Sequence, residues 1–182
     1  MEMEAIHSQM VDGGLVSKLS VDFQVSEELY YDMYDPEDQR GKFFFSSTYY
    51  GNRICGKSVP SVGALRVAEL FLNRAEAYAM LEGQEEKAVE NLRALRSKRY
   101  VEGTSLEIMD SFKGLTGKEL VDFIRQERRR ELCFEGHRWF DLRRYGMPRI
   151  EHTWVSENGQ RTTYVLQEKD PGYTLPISQD VL

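Results

Sequence analysis

The stretch Lys118–Gly146 constrains the fold more than any other part of the chain. It mixes charged and large aromatic side chains, and no proline interrupts it before Pro148. Gly146 stands where a glycine is favoured just beyond a helix end. We therefore predict one long helix with an irregular end.

Carboxylates recur at a helical spacing along this stretch. Glu127, Glu131 and Glu135 are four residues apart, so they lie on one face and repel one another unless cations intervene. The arginines nearest in sequence can act as bidentate partners: Arg128, Arg129, Arg130 and Arg138. Because Phe134, Trp139 and Phe140 add bulky apolar groups on several sides, we predict that protein surrounds the helix and that its ion pairs are partly buried.

Two chemical interpretations of these charges compete with the structural one. Paired carboxylates can perform acid–base chemistry on a glycosidic bond, but neighbouring arginines would keep these ionised and occupied. The arginine-rich run 125–130 resembles a nucleic-acid patch, yet interleaved glutamate and a net charge of −6 argue against that partner. Structural ion pairs are the favoured interpretation.

Three segments resemble one known family. The run Glu127–Gly146 resembles the C-terminal signature of the SusD/RagB family of outer-membrane nutrient-binding lipoproteins. Arg66–Leu81 is similar to an earlier helix of that family, and Tyr173–Ser178 to its closing segment, with Ser178 where a second proline is usual. The family also carries an aspartate followed by an arginine near the end of a helix in a comparable region. In this chain the corresponding residues would be Asp38 and Arg40.

The resemblance implies a function and a location. Such a protein captures a nutrient, typically an oligosaccharide, at the cell surface and hands it to a TonB-dependent outer-membrane transporter, without catalysis, metal or cofactor. Family members are considerably longer, with a signal and a lipid-anchor cysteine upstream. We therefore expect residues 1–182 to form a single domain corresponding to the C-terminal portion, attached to the outer membrane through an anchor that precedes it.

Apolar spacing predicts a mainly α fold with tetratricopeptide-like helix pairs, irregular loops and minor β structure. One predicted helix covers Leu65–Leu81 and the next Glu85–Tyr100, and small residues on their inner faces permit close approach. The long helix is their expected neighbour, because one pair cannot bury its faces alone. Lys42–Tyr50 is expected to be extended, and Asn158–Gly159 indicates a β-hairpin turn.

The segment Gly51–Ser58 matches the phosphate-loop pattern G-x-x-x-x-G-K-[ST]. A helix should follow the lysine, but Pro60 and Gly63 interrupt it, and the chain lacks alternating strands and helices. A chance match is therefore the favoured interpretation. A nucleotide-hydrolysing or glycan-processing enzyme, and a repeat-type scaffold for protein partners, remain the alternatives to ligand capture.

Cys133 and His137 are four residues apart, as metal ligands on one helix often are, but no second pair accompanies them. A structural role is favoured for both.

Aromatic residues outside the predicted helices are the best candidates for ligand contact. Flat rings suit the apolar faces of sugars, and binding residues concentrate on loops. Tyr49, Tyr50, Trp154 and Tyr164 lie in such segments. We predict Tyr49, Tyr50 and Trp154 as ligand-binding residues, with ordinary packing as the alternative for each.

Overall fold

The computed structural model describes residues 25–47, 54–55, 66–156 and 158–174. Six helices occur in this part of the chain: α1 (Gln39–Phe43), α2 (Val67–Ala79), α3 (Glu85–Arg96), α4 (Leu106–Met109), α5 (Gly117–Leu132) and α6 (Arg138–Arg144). The strands are β1 (Ser46–Ser47), β2 (Ile54–Cys55), β3 (Ile150–Val155) and β4 (Arg161–Leu166). A π-helical turn covers Glu28–Asp32 and a 3-10 turn covers Pro171–Tyr173. The predicted mainly α fold with minor β structure is confirmed.

Helices α2 and α3 form the predicted tetratricopeptide-like pair. Their facing sides carry small or slender residues, so the two backbones approach closely. Helix α5 packs against both α2 and α3, and the three helices together enclose the main core. Its buried members are Ala68, Leu72, Ala75, Ala79, Ala88, Leu92, Leu95, Phe112, Leu120, Ile124 and Leu132. The apolar spacing of the sequence predicts all seven of the α2 and α3 members on the inner faces, and the prediction is confirmed.

The prediction of one long helix over Lys118–Gly146 is wrong. The chain leaves the α5 axis after Leu132 and starts α6 only at Arg138. Between them, Phe134 has φ 60° and Gly136 has φ 84°, both in the left-handed region that a right-handed helix does not use. The break lets Cys133 and Phe134 pack away from the main core, and it turns α6 back along the helical body.

Residues 25–47 form a separate small layer on this body. Val25, Leu29, Tyr34, Phe45 and Cys133 make a second apolar cluster. The Phe45 ring contacts the rings of Tyr30, Tyr34 and Phe134 edge-on, at centroid separations of 5.6, 5.8 and 6.4 Å. This cluster attaches the layer to the break after α5.

The extended conformation predicted for Lys42–Tyr50 is only partly correct. Lys42 and Phe43 end helix α1, while β1 pairs antiparallel with β2. Helix α1 starts where it does because the Asp38 side chain accepts a hydrogen bond from the backbone N–H of Arg40 at 2.9 Å. Residues 48–50 of that segment lie outside the described part of the chain.

The predicted hairpin is confirmed at the C-terminal side. Strands β3 and β4 pair from Ile150↔Leu166 to Val155↔Arg161, and Gly159 in the turn has φ 82°. The hairpin base rests on a third cluster, in which the rings of Trp139 and Tyr173 stack at 5.1 Å. None of the helices in the described ranges is both long and apolar enough to cross a bilayer.

Candidate functional site

Two regions carry the side chains that sequence reasoning singled out. One is a charged network around α5, and the other is the outer face of the β3–β4 hairpin.

Glu127 lies at the centre of the network with 0% of its surface exposed. Its Oε1 lies 2.7 Å from Nη1 of Arg40. Its Oε2 accepts hydrogen bonds from Nη1 of Arg96 at 2.8 Å and from Nη1 of Arg130 at 3.0 Å. These guanidinium groups come from α1, α3 and α5, so a single carboxylate joins three helices.

Glu131, one turn further along α5, is equally buried, and arginine side chains also bind both of its carboxylate oxygens. Arg99 binds it bidentately, with both N···O distances 2.8 Å. Arg40 reaches its Oε2 at 3.1 Å, and Arg66 reaches its Oε1 at 3.2 Å. Arg66 also binds Glu135, which lies within the break between α5 and α6.

Arg40 completes the arrangement because it is 2% exposed and also binds Asp38. Its Nη2 lies 2.7 Å from Oδ2 of that carboxylate. Its three carboxylate partners surround one guanidinium, the geometry that suits a planar, multidentate cation. The family resemblance suggested that Asp38 and Arg40 lie near the end of a helix, but they lie at the start of α1. The pair fixes the layer 25–47 to α5.

The carboxylates of this network are held in their ionised state. Burial by itself raises the pKa of Glu127, but Arg40, Arg96 and Arg130 outweigh it and lower the pKa to about 2. For Glu131 burial also raises the pKa, while the hydrogen bonds and charges of Arg99, Arg40 and Arg66 lower it overall. A carboxylate so held has no proton to donate at neutral pH, which argues against general acid catalysis here.

The predicted buried ion pairs are confirmed, but most partners differ from those expected. Arg130 does bind Glu127, whereas Arg128 binds Asp141 at 2.8 Å and Arg129 binds Glu28 at 3.0 Å. The other partners come from elements distant in sequence. One signal could have identified Arg96, because it continues the apolar stripe of Ala88 and Leu92 at a spacing of four.

A second set of ion pairs holds α6 against α2 and α5. Besides Asp141, Arg128 binds Asn73 of α2 at 2.7 Å. Glu76 in α2 is 4% exposed. Its Oε2 accepts a hydrogen bond from Nη2 of Arg144 at 2.6 Å, and its Oε1 accepts one from Nε of Arg125 at 3.2 Å. Much of the charge in the Glu127–Gly146 signature thus joins helices to one another.

Cys133 and His137 do not form the helical pair of ligands considered from the sequence. Helix α5 ends before Cys133, and its buried thiol lies 3.7 Å from the Tyr34 hydroxyl. The Nδ1 atom of His137 instead lies 3.7 Å from Oε1 of Glu69 and 3.5 Å from Nη2 of Arg128. The described residues contain no group of three His, Cys, Asp or Glu side chains that could hold a metal ion.

The two described residues of the segment that matches the phosphate-loop pattern do not have the structure of a phosphate loop. Ile54–Cys55, inside the motif, forms β2 and pairs antiparallel with β1, which precedes it. A phosphate loop would instead wrap its backbone N–H groups around an anion at the start of a helix. The other residues of Gly51–Ser58 lie outside the described part of the chain.

The β3–β4 hairpin presents two exposed aromatic residues. Others lie on the helical body, where Phe140 of α6, predicted to be enclosed by protein, is also exposed. Trp154 is 55% exposed and Tyr164 is 61% exposed. Trp154 stands opposite Thr162, and Tyr164 stands opposite His152. Since side chains alternate between faces along a strand, all four residues share one face, with the two rings at diagonal positions. We call these four residues the aromatic face.

The same hairpin has a different opposite face. Glu151 and Arg161 lie there, together with Thr153 and Thr163, whose hydroxyl groups are 3.1 Å apart. One face is therefore aromatic, and the other carries charges, hydroxyls and the exposed Val165. Of the predicted ligand-binding residues, Trp154 lies on the aromatic face, while Tyr49 and Tyr50 fall outside the described residues.

Comparison with known proteins identifies the family. The SusD/RagB family model, described as the SusD family, matches residues 55–181. The chain belongs to the SusD family. A solved SusD superfamily protein from Bacteroides fragilis is 27% identical, with a TM-score of 0.59 over 84% of this chain and 34% of that one.

Other relatives agree with this assignment. SusD-like protein P2 and SusD-like protein P38 of Formosa agariphila are 34% and 39% identical over 44% and 42% of this chain. The matched segments cover 16% and 15% of those proteins. A SusD-like carbohydrate binding protein from Bacteroides vulgatus, 20% identical, shares the fold with a TM-score of 0.53 over 80% of this chain and 33% of that one.

Proposed function

We propose that the protein containing this chain captures a glycan at the cell surface, and that Trp154 contacts the ligand. The observation that carries the proposal is the exposure of a large ring on a hairpin whose base is anchored in the core. A rigid aromatic surface binds sugars at a low cost in conformational entropy. The carbohydrate-binding description of the Bacteroides vulgatus relative supports this ligand class.

The mechanism is binding and hand-over without covalent chemistry. By analogy with the family, the ligand passes to a TonB-dependent transporter, and a lipid anchor upstream holds the protein at the outer membrane. The chain corresponds to about a third of the solved relatives it matches, so other parts of such a protein can add further ligand contacts. Tyr49 and Tyr50 remain proposed contacts alongside Trp154.

A glycan-processing enzyme is the second candidate, because the family signature is rich in carboxylates. Glu127 and Glu131 would need to face a ligand, but both are 0% exposed and bound by arginines. Incubation with oligosaccharides followed by product analysis separates the two functions. Binding without turnover is expected, and release of shorter products would favour the enzyme.

The direct test compares glycan binding by the chain and by its Trp154→Ala variant. A panel of neutral and acidic oligosaccharides is screened first, and calorimetric titration then measures the affinity of each ligand that binds. Trp154→Ala is expected to weaken binding about fivefold or more, since stacking on a large ring contributes on the order of 1 kcal/mol or more. Unchanged affinity would remove Trp154 from the site.

Binding to a protein partner but to no glycan would instead favour the scaffold function.

A further inference from the structure

We propose that the aromatic face binds an uncharged oligosaccharide across at least two sugar units, with Tyr164 as the second stacking ring. This inference rests on the proposed glycan-binding function, and it adds the charge and minimum length of the ligand. Three observations support it: the register of the hairpin, the distribution of charge between its faces, and the anchoring of its base.

The register places Trp154 and Tyr164 at diagonal positions on neighbouring strands, and not directly opposite each other. Trp154 pairs with Thr162, and Tyr164 is two residues further along β4, so the rings occupy diagonal positions. Diagonal positions on paired strands are about 7–8 Å apart. A ligand that stacks on both rings has to extend over both positions, which favours an oligosaccharide of at least two units over a single sugar.

Charge is segregated between the two faces of the hairpin. Over the six described residue pairs, the face with Trp154 carries Ile150, His152, Thr162, Tyr164 and Leu166 and no Asp, Glu, Lys or Arg. Glu151 and Arg161 lie on the opposite face, and Glu151 is paired with Arg149. Among the described residues of this face, only His152 can become cationic, so a sulfated or uronic-acid chain stacked there would lose hydration from its anions without a Lys or Arg of that face to bind. Threonine and tyrosine hydroxyls suit neutral sugar hydroxyls.

The face is also held in place before any ligand arrives. Ile150 and Leu166, at its base, pack beside the stacked rings of Trp139 and Tyr173. The backbone N–H of Lys169 donates to the Met147 carbonyl at 2.8 Å, which ties the end of the hairpin to its start. A preorganised face loses little conformational entropy on binding.

The experiment titrates the whole chain with two matched sets of oligosaccharides. The neutral set contains β-1,4-, β-1,3- and α-1,4-linked glucose oligomers and β-1,4-linked xylose and mannose oligomers of one to six units. The acidic set contains oligogalacturonates and sulfated galactose oligomers of the same lengths. Calorimetry gives affinities, and the indole N–H signal of Trp154 in NMR spectra reports contact at the face.

The expected result is measurable binding of a neutral oligomer of two or more units, at least tenfold tighter than that of its single sugar and of every acidic oligomer. Tyr164→Ala should weaken that binding about 2- to 10-fold, the range expected for one stacked ring. Arg161→Gln, on the opposite face, is the matched control and should leave it unchanged.

Different failures have different meanings. If Trp154→Ala abolishes binding but Tyr164→Ala does not change it, or if a single sugar binds as tightly as the oligomers, glycan binding stands and the two-ring inference fails. Tighter binding of acidic oligomers than of neutral ones would overturn the proposal that the ligand is uncharged. Loss of that acidic binding in Arg161→Gln would assign it to the opposite face. Binding to neither set would overturn both this inference and the proposed function.

Discussion

The helical body and the β3–β4 hairpin each place some side chains in a less usual environment: the body buries charged groups beside its apolar core, and the hairpin exposes aromatic rings. In the body, Glu127, Glu131 and Arg40 are buried and bound to one another, while on the hairpin Trp154 and Tyr164 face solvent. Charged groups whose bonding capacity is used within the protein hold helices together. Exposed rings retain surface that a ligand can cover, so the comparison places structural charge in the body and candidate binding groups on the hairpin.

The buried network also shows what such ion pairs contribute. Removing charges from water is costly, and a buried pair does not by itself make a protein more stable than an apolar pair would. We infer that the network adds specificity, because Arg40 and its three carboxylate partners fit only one arrangement of α1 and α5, while Arg96 binds Glu127 and fixes α3 against them. Loss of one partner leaves the others buried without compensation.

The largest expected effect comes from removing a central carboxylate. Glu131→Ala leaves the guanidinium groups of Arg40 and Arg99 with less compensating charge, and it should lower the free energy of unfolding by about 3–5 kcal/mol. Urea denaturation followed by circular dichroism measures the change. The control is Glu102→Ala at an exposed turn, expected to stay within about 0.5 kcal/mol. Equal losses in both variants would contradict the structural role of the network.

Acid should weaken the body through Glu127. Its pKa in the folded protein is about 2 against an ordinary 4.5, so it stabilises the fold above pH 4.5 and loses that contribution as the pH falls towards 2. The difference corresponds to on the order of 3 kcal/mol. Urea denaturation of wild type and Glu127→Gln at several pH values should show the gap between them narrowing from pH 4.5 to 2. Parallel curves would argue against the assignment.

The break between α5 and α6 gives a prediction whose sign is decisive. In a continuous helix, Gly136→Ala would stabilise the protein by roughly 1 kcal/mol. Because Gly136 has φ 84°, the substitution should instead destabilise it by about 1 kcal/mol. Thermal unfolding distinguishes the two, and Gly136→Asn serves as the control because asparagine tolerates left-handed backbone better than alanine.

The smallest expected effect on stability is at the hairpin. Trp154→Ala should change the free energy of unfolding by no more than about 0.5 kcal/mol, since its ring is more than half exposed. Trp139→Ala, which removes a 6% exposed ring stacked on Tyr173, should cost about 3–5 kcal/mol. Denaturation of both variants tests this contrast. A large loss of stability in Trp154→Ala would assign that ring to packing instead of binding.

Sequence reasoning succeeded where short-range spacing controls the outcome. The inner faces of α2 and α3 followed from apolar residues at helical intervals, and the hairpin followed from Asn158–Gly159 between two strand-forming runs. It failed at Lys42–Phe43, where aromatic residues favoured a strand but the Asp38 cap starts a helix. It also failed at the break after Leu132, since a lone glycine in a helical pattern does not show whether the chain will turn there.

The candidate site was only partly accessible from sequence. Trp154 and Tyr164 could be selected as rings in extended segments, but their common face required the register of β3 against β4. The opposite limitation applied to Glu127. Its charge and its need for cations were evident, yet Arg40 and Arg96 lie far from it along the chain.

By itself, the sequence determined the family, the helical pairing and the presence of buried charge, because these depend on residue type and on spacing within a few turns. Only the tertiary structure decided which arginine meets which carboxylate, where α5 ends and which rings share a face. Those outcomes depend on contacts between elements distant in sequence, whose free energies are realised only when the elements pack together.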